Sequence, residues 1–306
     1  MPFTLIQGTF HLVNRTRKGN ETGFEPDGDS IHFKPYNTAL LGKLDKLKMP
    51  YRLTNIGSVM LRFEGIDALE LHYSPSHGGP STHQPRPMAN AARDFLTGEL
   101  HMNPVPYAPP RDVRVKPPVL HDATPGYILS RSLEVRGRPV SFAFAGAAPE
   151  ADGAQVYLNV QRFKSSLNYK LVQNGHAYPL FYDTFFLDLR NAMKTAVEQA
   201  RQSGFGIWAK DRTTSGLVAN TQAKLESDGV IFPKLFRRLT DYLAETGGGL
   251  AGFTDWLAAK GERVQNINPN SSTFTNNTGF DNMVKVTGNK VKLTQKPELL
   301  VFISDK

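Results

Sequence analysis

The sequence predicts an α+β protein in which a small closed β-barrel with packed helices is followed by a small α+β extension. Short β-type segments separated by turns fill the first 70 residues and resume near residue 127. A long segment at 184–203 has apolar residues at helical spacing. After Trp208 the pattern changes to two further helices and a hairpin, which predicts the extension.

Size and charge narrow the class of protein. The chain has 306 residues, 40% of them hydrophobic, which is enough for a full core. Its formal net charge of +8 favours a polyanionic partner, because clustered Lys and Arg neutralise phosphates and release counterions. The chain has no cysteine, which excludes disulfides, thiolate metal sites and cysteine nucleophiles.

The start of the chain bears on location. Residues 1–8 lack a basic segment followed by a long apolar run, so we expect no signal peptide. No stretch approaches the ~18 consecutive apolar residues of a membrane span. We therefore expect a cytoplasmic protein with no membrane partner.

The predicted strands are rich in β-branched and aromatic residues or alternate polar with apolar positions. A short helix interrupts them at 88–100, and the helix at 184–203 ends at Gly204. This order of strands, short helix, strands and closing helix suits a closed barrel of the oligonucleotide/oligosaccharide-binding (OB) kind. The strands are predicted at 5–13, 30–34, 59–64, 127–134, 140–145 and 155–160.

Two proline-rich segments, 74–87 and 104–125, are predicted to be irregular inserts of the barrel domain, because β-type sequence resumes after them. The barrel domain is expected to span 1–212. Residues 213–306 form the extension, whose role the sequence leaves open.

Glycine and β-type residues divide the extension into smaller elements. Three glycines, Gly247-Gly248-Gly249, separate helices predicted at 230–245 and 251–260. A hairpin is predicted with arms at 283–286 and 290–293.

Acidic and basic residues alternate along the chain in a pattern suited to phosphodiester chemistry. Asp29 and Asp67 are candidate ligands of Ca²⁺, which prefers carboxylate and carbonyl oxygens. Glu70 is the candidate for orienting or deprotonating the attacking water. Arg62 and Arg138 carry planar forks that match phosphate oxygens bidentately.

The spacing requires a break in one strand. Arg62 and Asp67 are five residues apart and would face opposite sides of a regular strand. We therefore expect the strand to bulge or end at Gly65.

Plainer interpretations are also compatible with these residues. Asp27-Gly28-Asp29 has the composition of a simple turn, and Arg62 and Glu70 could be rim charges on a barrel. The basic pair Arg237-Arg238 could extend a phosphate-binding track or be a solvated face.

Five motifs in order resemble those of one family. The first is Asp27-Gly28-Asp29-Ser30-Ile31, the second Arg62-Phe63-Glu64-Gly65-Ile66-Asp67-Ala68-Leu69-Glu70 and the third Glu134-x-x-Gly137-Arg138, with the strand 141–144 behind it. The fourth is Asn168-Tyr169-Lys170-Leu171-Val172-x-x-Gly175-x-Ala177, and the fifth runs from Ala192 to Gly206-Ile207-Trp208. Over residues ~5–212 the chain resembles the staphylococcal nuclease (thermonuclease) family.

The resemblance implies a five-stranded OB-like barrel with packed helices. It also implies Ca²⁺-dependent cleavage of DNA and RNA, sugar-non-specific, that leaves 3′-phosphates. Asp29 and Asp67 would bind Ca²⁺ with the backbone carbonyl of Ala68 beside them, and Asp27 would support them from behind. Catalysis would fall to Glu70 as general base or water positioner and to the phosphate-binding residues Arg62 and Arg138.

Some positions depart from the family pattern. Ala68-Leu69 stands where the family has Thr-Pro, and Arg136 where it commonly stacks a tyrosine on the nucleotide. Arg136 remains a candidate substrate contact, and Phe181 or Tyr182 is a candidate stacking face.

Two rival hypotheses remain. A nucleic-acid-binding module of the same fold with weakened catalysis fits the departures at residues 68, 69 and 136. Alternatively, residues 213–306 dock a protein partner that sets the biological role.

Overall fold

The computed structural model describes residues 2–46, 49–267 and 278–304. In chain order, its strands are β1 (Phe3–His11), β2 (Val13–Arg15), β3 (Glu21–Gly23), β4 (His32–Pro35), β5 (Asp45–Lys46), β6 (Val59–Met60), β7 (Arg62–Phe63), β8 (Ile66–Ala68), β9 (Thr124–Leu133), β10 (Pro139–Ala145), β11 (Gln155–Val156), β12 (Ala177–Pro179), β13 (Phe181–Tyr182), β14 (Leu217–Val218), β15 (Arg263–Asn266), β16 (Thr278–Gly279), β17 (Val284–Thr287), β18 (Lys290–Leu293) and β19 (Leu300–Phe302). Its α-helices are α1 (Arg86–Glu99), α2 (Val160–Phe163), α3 (Leu167–Gln173), α4 (Leu187–Gln202), α5 (Gln222–Asp228), α6 (Pro233–Thr246) and α7 (Phe253–Ala259).

The chain divides into two compact units. The barrel unit consists of Met1–Glu64 and Ala92–Leu171, and the second unit consists of Gly65–Ala91 and Val172–Lys306. The chain passes from one unit to the other between Glu64 and Gly65, within α1 and within α3. The division into domains at residue 212 stays a prediction.

One sheet dominates the barrel unit. Its strands are hydrogen-bonded in the order β6-β4-β1-β9-β10-β7, and β11 and β5 join at β1 and β9. Only Leu61 separates β6 from β7 in sequence, so the path of strands returns almost to its start. A mixed α+β structure with a nearly closed, barrel-like sheet and several helices is therefore confirmed.

Aromatic side chains fill the inside of this sheet. Phe3 lies edge-on to Phe142, with 5.5 Å between ring centroids, and Phe10 packs on Phe33 at 5.1 Å. All four are completely or almost completely buried. Burial of rings this large supplies much of the hydrophobic stabilisation of the sheet.

A buried amide secures the edge of the sheet where two motifs meet. The Nδ2 of Asn168, in α3, donates to the carbonyl oxygens of Glu64 at 2.9 Å and Ser141 at 3.0 Å. Its Oδ1 accepts from the backbone nitrogen of Ala143 at 3.0 Å. Asn168 is fully buried, so its amide satisfies backbone groups that solvent does not reach.

The second unit contains the predicted closing helix and the predicted helical pair. α4 buries Leu189, Met193 and Val197 on one face, as its spacing predicts. α6 starts with Pro233 in its first turn and ends at Gly247, whose φ of 78° is left-handed. No helix among the described residues is long and apolar enough to cross a membrane.

Short sheets complete the second unit. β8 pairs with β12, β13-β19-β15-β16 form another sheet, and the predicted hairpin β17-β18 takes β14 as a third strand. The β13–β19 pair is parallel, so it joins the segment after β12 to the chain's last described strand.

The strand predicted at 155–160 is mostly wrong. β11 covers only Gln155–Val156, and α2 begins five residues after its first residue. The Oδ1 of Asn159 accepts from the backbone nitrogen of Arg162 at 2.8 Å and caps α2. This local cap stabilises a helix start where the β-branched and aromatic residues favoured a strand.

The predicted break at Gly65 is confirmed. β7 ends at Phe63 and β8 begins at Ile66, and Gly65 between them has a φ of +82°. A Cβ at Gly65 would lie 2.4 Å from Cε2 of Phe185. Both the left-handed backbone and the close aromatic ring require glycine here.

Replacing Gly65 by alanine should lower the free energy of unfolding by about 2–4 kcal/mol, because left-handed strain adds to the clash with Phe185. Thermal denaturation followed by circular dichroism measures the effect. Gly42→Ala is the matched control, since Gly42 has open space around it and no positive φ. A Gly65→Ala protein with the same melting temperature as the Gly42→Ala protein would contradict this account.

Candidate functional site

Asp29 and Arg62 are neighbours in the barrel unit. The backbone nitrogen of Phe63 donates to the carbonyl oxygen of Asp29 at 3.1 Å, and that of Leu61 donates to Ile31 at 2.9 Å. This pairing places the Nη1 of Arg62 3.7 Å from the Oδ2 of Asp29, and both side chains are largely buried. A predicted phosphate-binding group therefore lies at ion-pair distance from a predicted metal ligand.

The segment 27–30 is a turn, as the plainer interpretation expects. The backbone nitrogen of Gly28 donates to the Oδ1 of Asp27 at 2.8 Å, and that of Asp27 donates to the carbonyl of Ser30 at 3.2 Å. The buried carboxylate of Asp27 thus shapes the turn that carries Asp29. A turn and a supporting role for Asp27 are compatible.

Glu134 holds Arg138 at the turn between β9 and β10. Its Oε1 accepts from the backbone nitrogens of Arg136 and Arg138, at 3.0 and 3.1 Å, and from the Nε of Arg138 at 3.2 Å. Gly137 has a φ of +80°, and a Cβ there would lie 2.3 Å from the carbonyl oxygen of Pro50. These contacts explain physically why the third motif contains both Glu and Gly.

A basic cavity of about 260 Å³ lies beside Arg138 in the barrel unit. Arg52 and Arg136 line it together with Arg138, and His32 forms part of its wall. Burial, helped by the charge of His11, lowers the pKa of His32 to about 4, so this ring is neutral at pH 7. Three guanidinium groups therefore give the cavity its positive charge.

In the second unit Asp67 and Glu70 converge on one guanidinium group, that of Arg237 in α6. Arg237 donates from Nη1 to the Oδ1 of Asp67 at 3.0 Å and from Nη2 to its Oδ2 at 2.8 Å. The same Nη1 donates to the Oε1 of Glu70 at 2.5 Å. The structure thus brings together the predicted ligand and the predicted water-positioning residue, with an arginine between them.

Charge keeps this cluster together. Burial alone would lower the pKa of Arg237, but the charges of Asp67 and Glu70 outweigh it and raise the pKa well above its usual value. Asp67 is 1% exposed, so water does little to screen these charges. Arg237 is therefore permanently charged and tightly paired.

Calcium does not fit between Asp67 and Glu70 while Arg237 is in place. Carboxylates are the oxygen ligands that Ca²⁺ prefers, so the donor type is suitable. However, both oxygens of Asp67 and the Oε1 of Glu70 already accept hydrogen bonds from the guanidinium group. A divalent cation at this position would also lie against the positive charge of Arg237.

Helix α6 fixes Arg237 through a second contact one turn further on. Asp241 accepts from the Tyr73 hydroxyl at 3.0 Å and from the backbone nitrogen of Ser76 at 2.8 Å. Residues four apart lie on the same face of a helix, so one face of α6 holds residues 67–76 at two points.

The remaining predicted residues have varied environments. Ala68 is buried in β8 opposite Ala177. Phe181 is completely buried and packs on Phe185, whereas Tyr182 keeps part of its surface exposed. A base-stacking role is therefore left to Tyr182, where it stays a prediction.

Sequence reasoning missed the roles of Arg237, Glu134 and Arg52. Sequence reasoning left a phosphate-binding track and a solvated face open for Arg237-Arg238, and neither describes the structure. Arg237 binds Asp67 and Glu70, and Arg238 pairs with Glu262 and Asp241. A signal was present, because Arg237 and Asp241 lie four residues apart on a helix that also carries a strong apolar pattern, and charges at its buried positions need partners. The pattern did not identify those partners.

No protein-family model matches this chain, and no curated protein matches it. The resemblance to the nuclease family therefore rests on the five motifs alone and stays a prediction.

Glu64, inside the second motif, is a buried carboxyl group. It is 8% exposed, and the Nη2 of Arg131 lies 3.3 Å from its Oε1. Burial raises the pKa of Glu64 to about 7, although the nearby charge of Arg131 opposes the shift. The folded protein therefore holds this proton more tightly than the unfolded chain does.

The stability contribution of Glu64 should be complete below its usual pKa of 4.5 and should decline as the pH rises towards about 7. Glu64→Gln keeps the shape and remains neutral. Relative to wild type, it should gain about 2–3 kcal/mol of unfolding free energy between pH 4.5 and pH 8. Denaturant titrations at both pH values measure the gain.

The exposed Glu21→Gln is the control and should show no such pH-dependent gain. A Glu64→Gln protein whose stability difference from wild type is the same at both pH values would refute the raised pKa.

Proposed function

We propose that this protein is a phosphodiesterase that hydrolyses DNA, RNA or both, on an OB-like barrel of the staphylococcal nuclease kind. The observation that carries the proposal is that Glu134 orients Arg138 beside a basic cavity, which Arg52 and Arg136 also line. Guanidinium groups held in this way match the oxygens of a phosphate and offset its charge. Ca²⁺ is the cofactor that the resemblance implies, but Asp67 and Glu70 would not offer it free oxygens while Arg237 is paired with them.

The residues of the barrel unit supply phosphate recognition in this proposal. Arg138 is oriented by Glu134, and Arg62 lies beside Asp29. Their guanidinium forks match phosphate oxygens and offset the negative charge of a bound phosphate. Glu70 orients the attacking water or accepts its proton.

The electrostatics favour a nucleic acid as partner. The net charge of +8 attracts polyanions, and the cavity lined by Arg52, Arg136 and Arg138 offers positive charge next to a proposed catalytic residue. We assign this cavity to a phosphate of the bound strand.

A second candidate is a nucleic-acid-binding module without cleavage. The pairing of Arg237 with both carboxylates favours it, because this pairing removes the free oxygens that a metal-dependent nuclease needs. The two candidates share phosphate recognition and differ in whether the substrate is cut.

Glu70→Gln should lower the rate of DNA or RNA cleavage by roughly 10²–10⁴, since the amide cannot accept a proton. Full-length protein is incubated with plasmid DNA or a labelled RNA, with added Ca²⁺ or with a chelator, and product lengths are followed on gels. Arg138→Ala should also be severe, because it removes a charge-assisted contact to the phosphate.

The exposed Arg15→Gln serves as control and should cleave at the wild-type rate. Binding that shifts the nucleic acid but leaves its length unchanged in every condition would favour the second candidate. Cleavage by Glu70→Gln at the wild-type rate would refute the role given to Glu70.

Arg52→Ala tests the basic cavity. If Arg52 contacts one phosphate, binding should weaken and the slope of log affinity against log salt should fall by about 1. Fluorescence anisotropy of a labelled oligonucleotide at several salt concentrations measures both. An unchanged slope would remove Arg52 from the interface, and Arg15→Gln is again the matched loss of one charge.

A further inference from the structure

We propose that Arg237 is a built-in counter-cation that competes with a divalent metal ion for Asp67 and Glu70. The inference rests on the proposed function in taking Asp67 as a metal ligand, and it adds Glu70 as a second oxygen donor beside it. It assigns a role in metal binding to a residue of α6, beyond the five nuclease-like motifs. Which cation occupies the space between Asp67 and Glu70 is measurable without any catalysis.

Arg237 reduces the number of carboxylate oxygens that are free to bind a metal ion. Arg237 donates to both oxygens of Asp67, from Nη1 at 3.0 Å and from Nη2 at 2.8 Å. The same Nη1 donates to the Oε1 of Glu70 at 2.5 Å. The carboxylate lone pairs directed at the common centre are therefore used by N–H donors. A metal ion needs those lone pairs for coordination.

Arg237 also changes the net charge of the carboxylate pair. The two carboxylates carry −2, and the guanidinium group reduces this to −1. Affinity for hard divalent cations rises with the charge of the ligands, so pairing with Arg237 lowers it. Because Asp67 is 1% exposed, solvent screens this effect poorly.

The helix that carries Arg237 is fixed by other contacts of α6. Arg237, Asp241 and Glu245 lie four residues apart on α6, and the last two bind neighbours of the carboxylate pair. Asp241 accepts from Tyr73 and Ser76, and Glu245 lies 2.6 Å from the Nδ1 of His77. The backbone of α6 is thereby fixed against the motif segment.

A fixed helix leaves the side chain as the moving part. The side chain of Arg237 is 19% exposed, so it has a route to solvent that the carboxylate of Asp67 lacks. Entry of a metal ion therefore requires rotation of this one side chain and loss of its three hydrogen bonds. That loss opposes metal binding in the wild-type protein.

Calcium binding to the full-length chain tests the proposal. Isothermal titration calorimetry with CaCl₂ as the only ligand compares wild type with Arg237→Gln and with Arg238→Gln. Removing the competing charge should tighten Ca²⁺ binding by about 100-fold in Arg237→Gln. Arg238→Gln removes the same charge from the next position, where the partners are Glu262 and Asp241, and should bind as the wild type does.

Equal affinity of wild type and Arg237→Gln, whether both are tight or both fail to bind, overturns the proposal. So does equal tightening in Arg238→Gln, since it would reflect general charge alone. Arg237→Lys keeps the experiment decisive where Arg237→Gln is too unstable to purify. Lysine keeps the charge but lacks the fork, so Ca²⁺ should bind about tenfold tighter than in wild type, and wild-type affinity overturns the proposal.

The outcomes separate this inference from the proposed function. An Arg237→Gln protein that binds Ca²⁺ tightly but cuts neither DNA nor RNA leaves the inference standing and ends the nuclease proposal. A wild-type protein that binds Ca²⁺ as tightly as Arg237→Gln and cleaves nucleic acid overturns the inference and supports the nuclease proposal.

Discussion

A buried carboxylate, Asp67, with a partly exposed one, Glu70, beside it requires a cation, and in this protein Arg237 provides it. Removing one partner of such a group leaves an uncompensated charge in a region of low dielectric constant. The position of Asp67 and Glu70 therefore depends on α6 as much as on the strand that carries the motif.

This dependence makes the C-terminal part of the chain integral to the motif segment. Besides the contacts of α6, the Nε2 of Gln84 donates to the carbonyl oxygens of Gly229 and Ile231, at 2.7 and 2.8 Å. Thr82 donates to Glu226 at 2.6 Å. Residues 65–91 and 172–306 thus form one unit joined by buried polar contacts, and a chain cut after residue 212 would lose these partners.

Local features of this structure were predictable because they depend on neighbouring residues. The interruption at Gly65, the end of α4 near Gly204 and the β17–β18 hairpin all follow from turn chemistry and periodicity. The order of the charged motifs likewise gave the candidate residues. The pairing of Arg237 with Glu70 was not predictable, because 167 residues separate them and only the tertiary fold selects the partner. Prediction from local sequence failed at α2, because the capping side chain of Asn159 outweighed the β propensity of its neighbours.

Three arginines of the proposed site share one property at rest: each already has a carboxylate of the same unit beside it. Arg138 has Glu134, Arg62 has Asp29 and Arg237 has Asp67. Binding a phosphate at Arg138 or Arg62 is then an exchange of one anion for another, which costs less desolvation than bringing charges together in an empty site. The exchange is easiest where the pair is most exposed, and the side chain of Arg138 is 25% exposed whereas that of Asp67 is 1%. The pair formed by Arg138 and Glu134 is therefore the more open to exchange with another anion, and the pair formed by Arg237 and Asp67 is the more resistant to it.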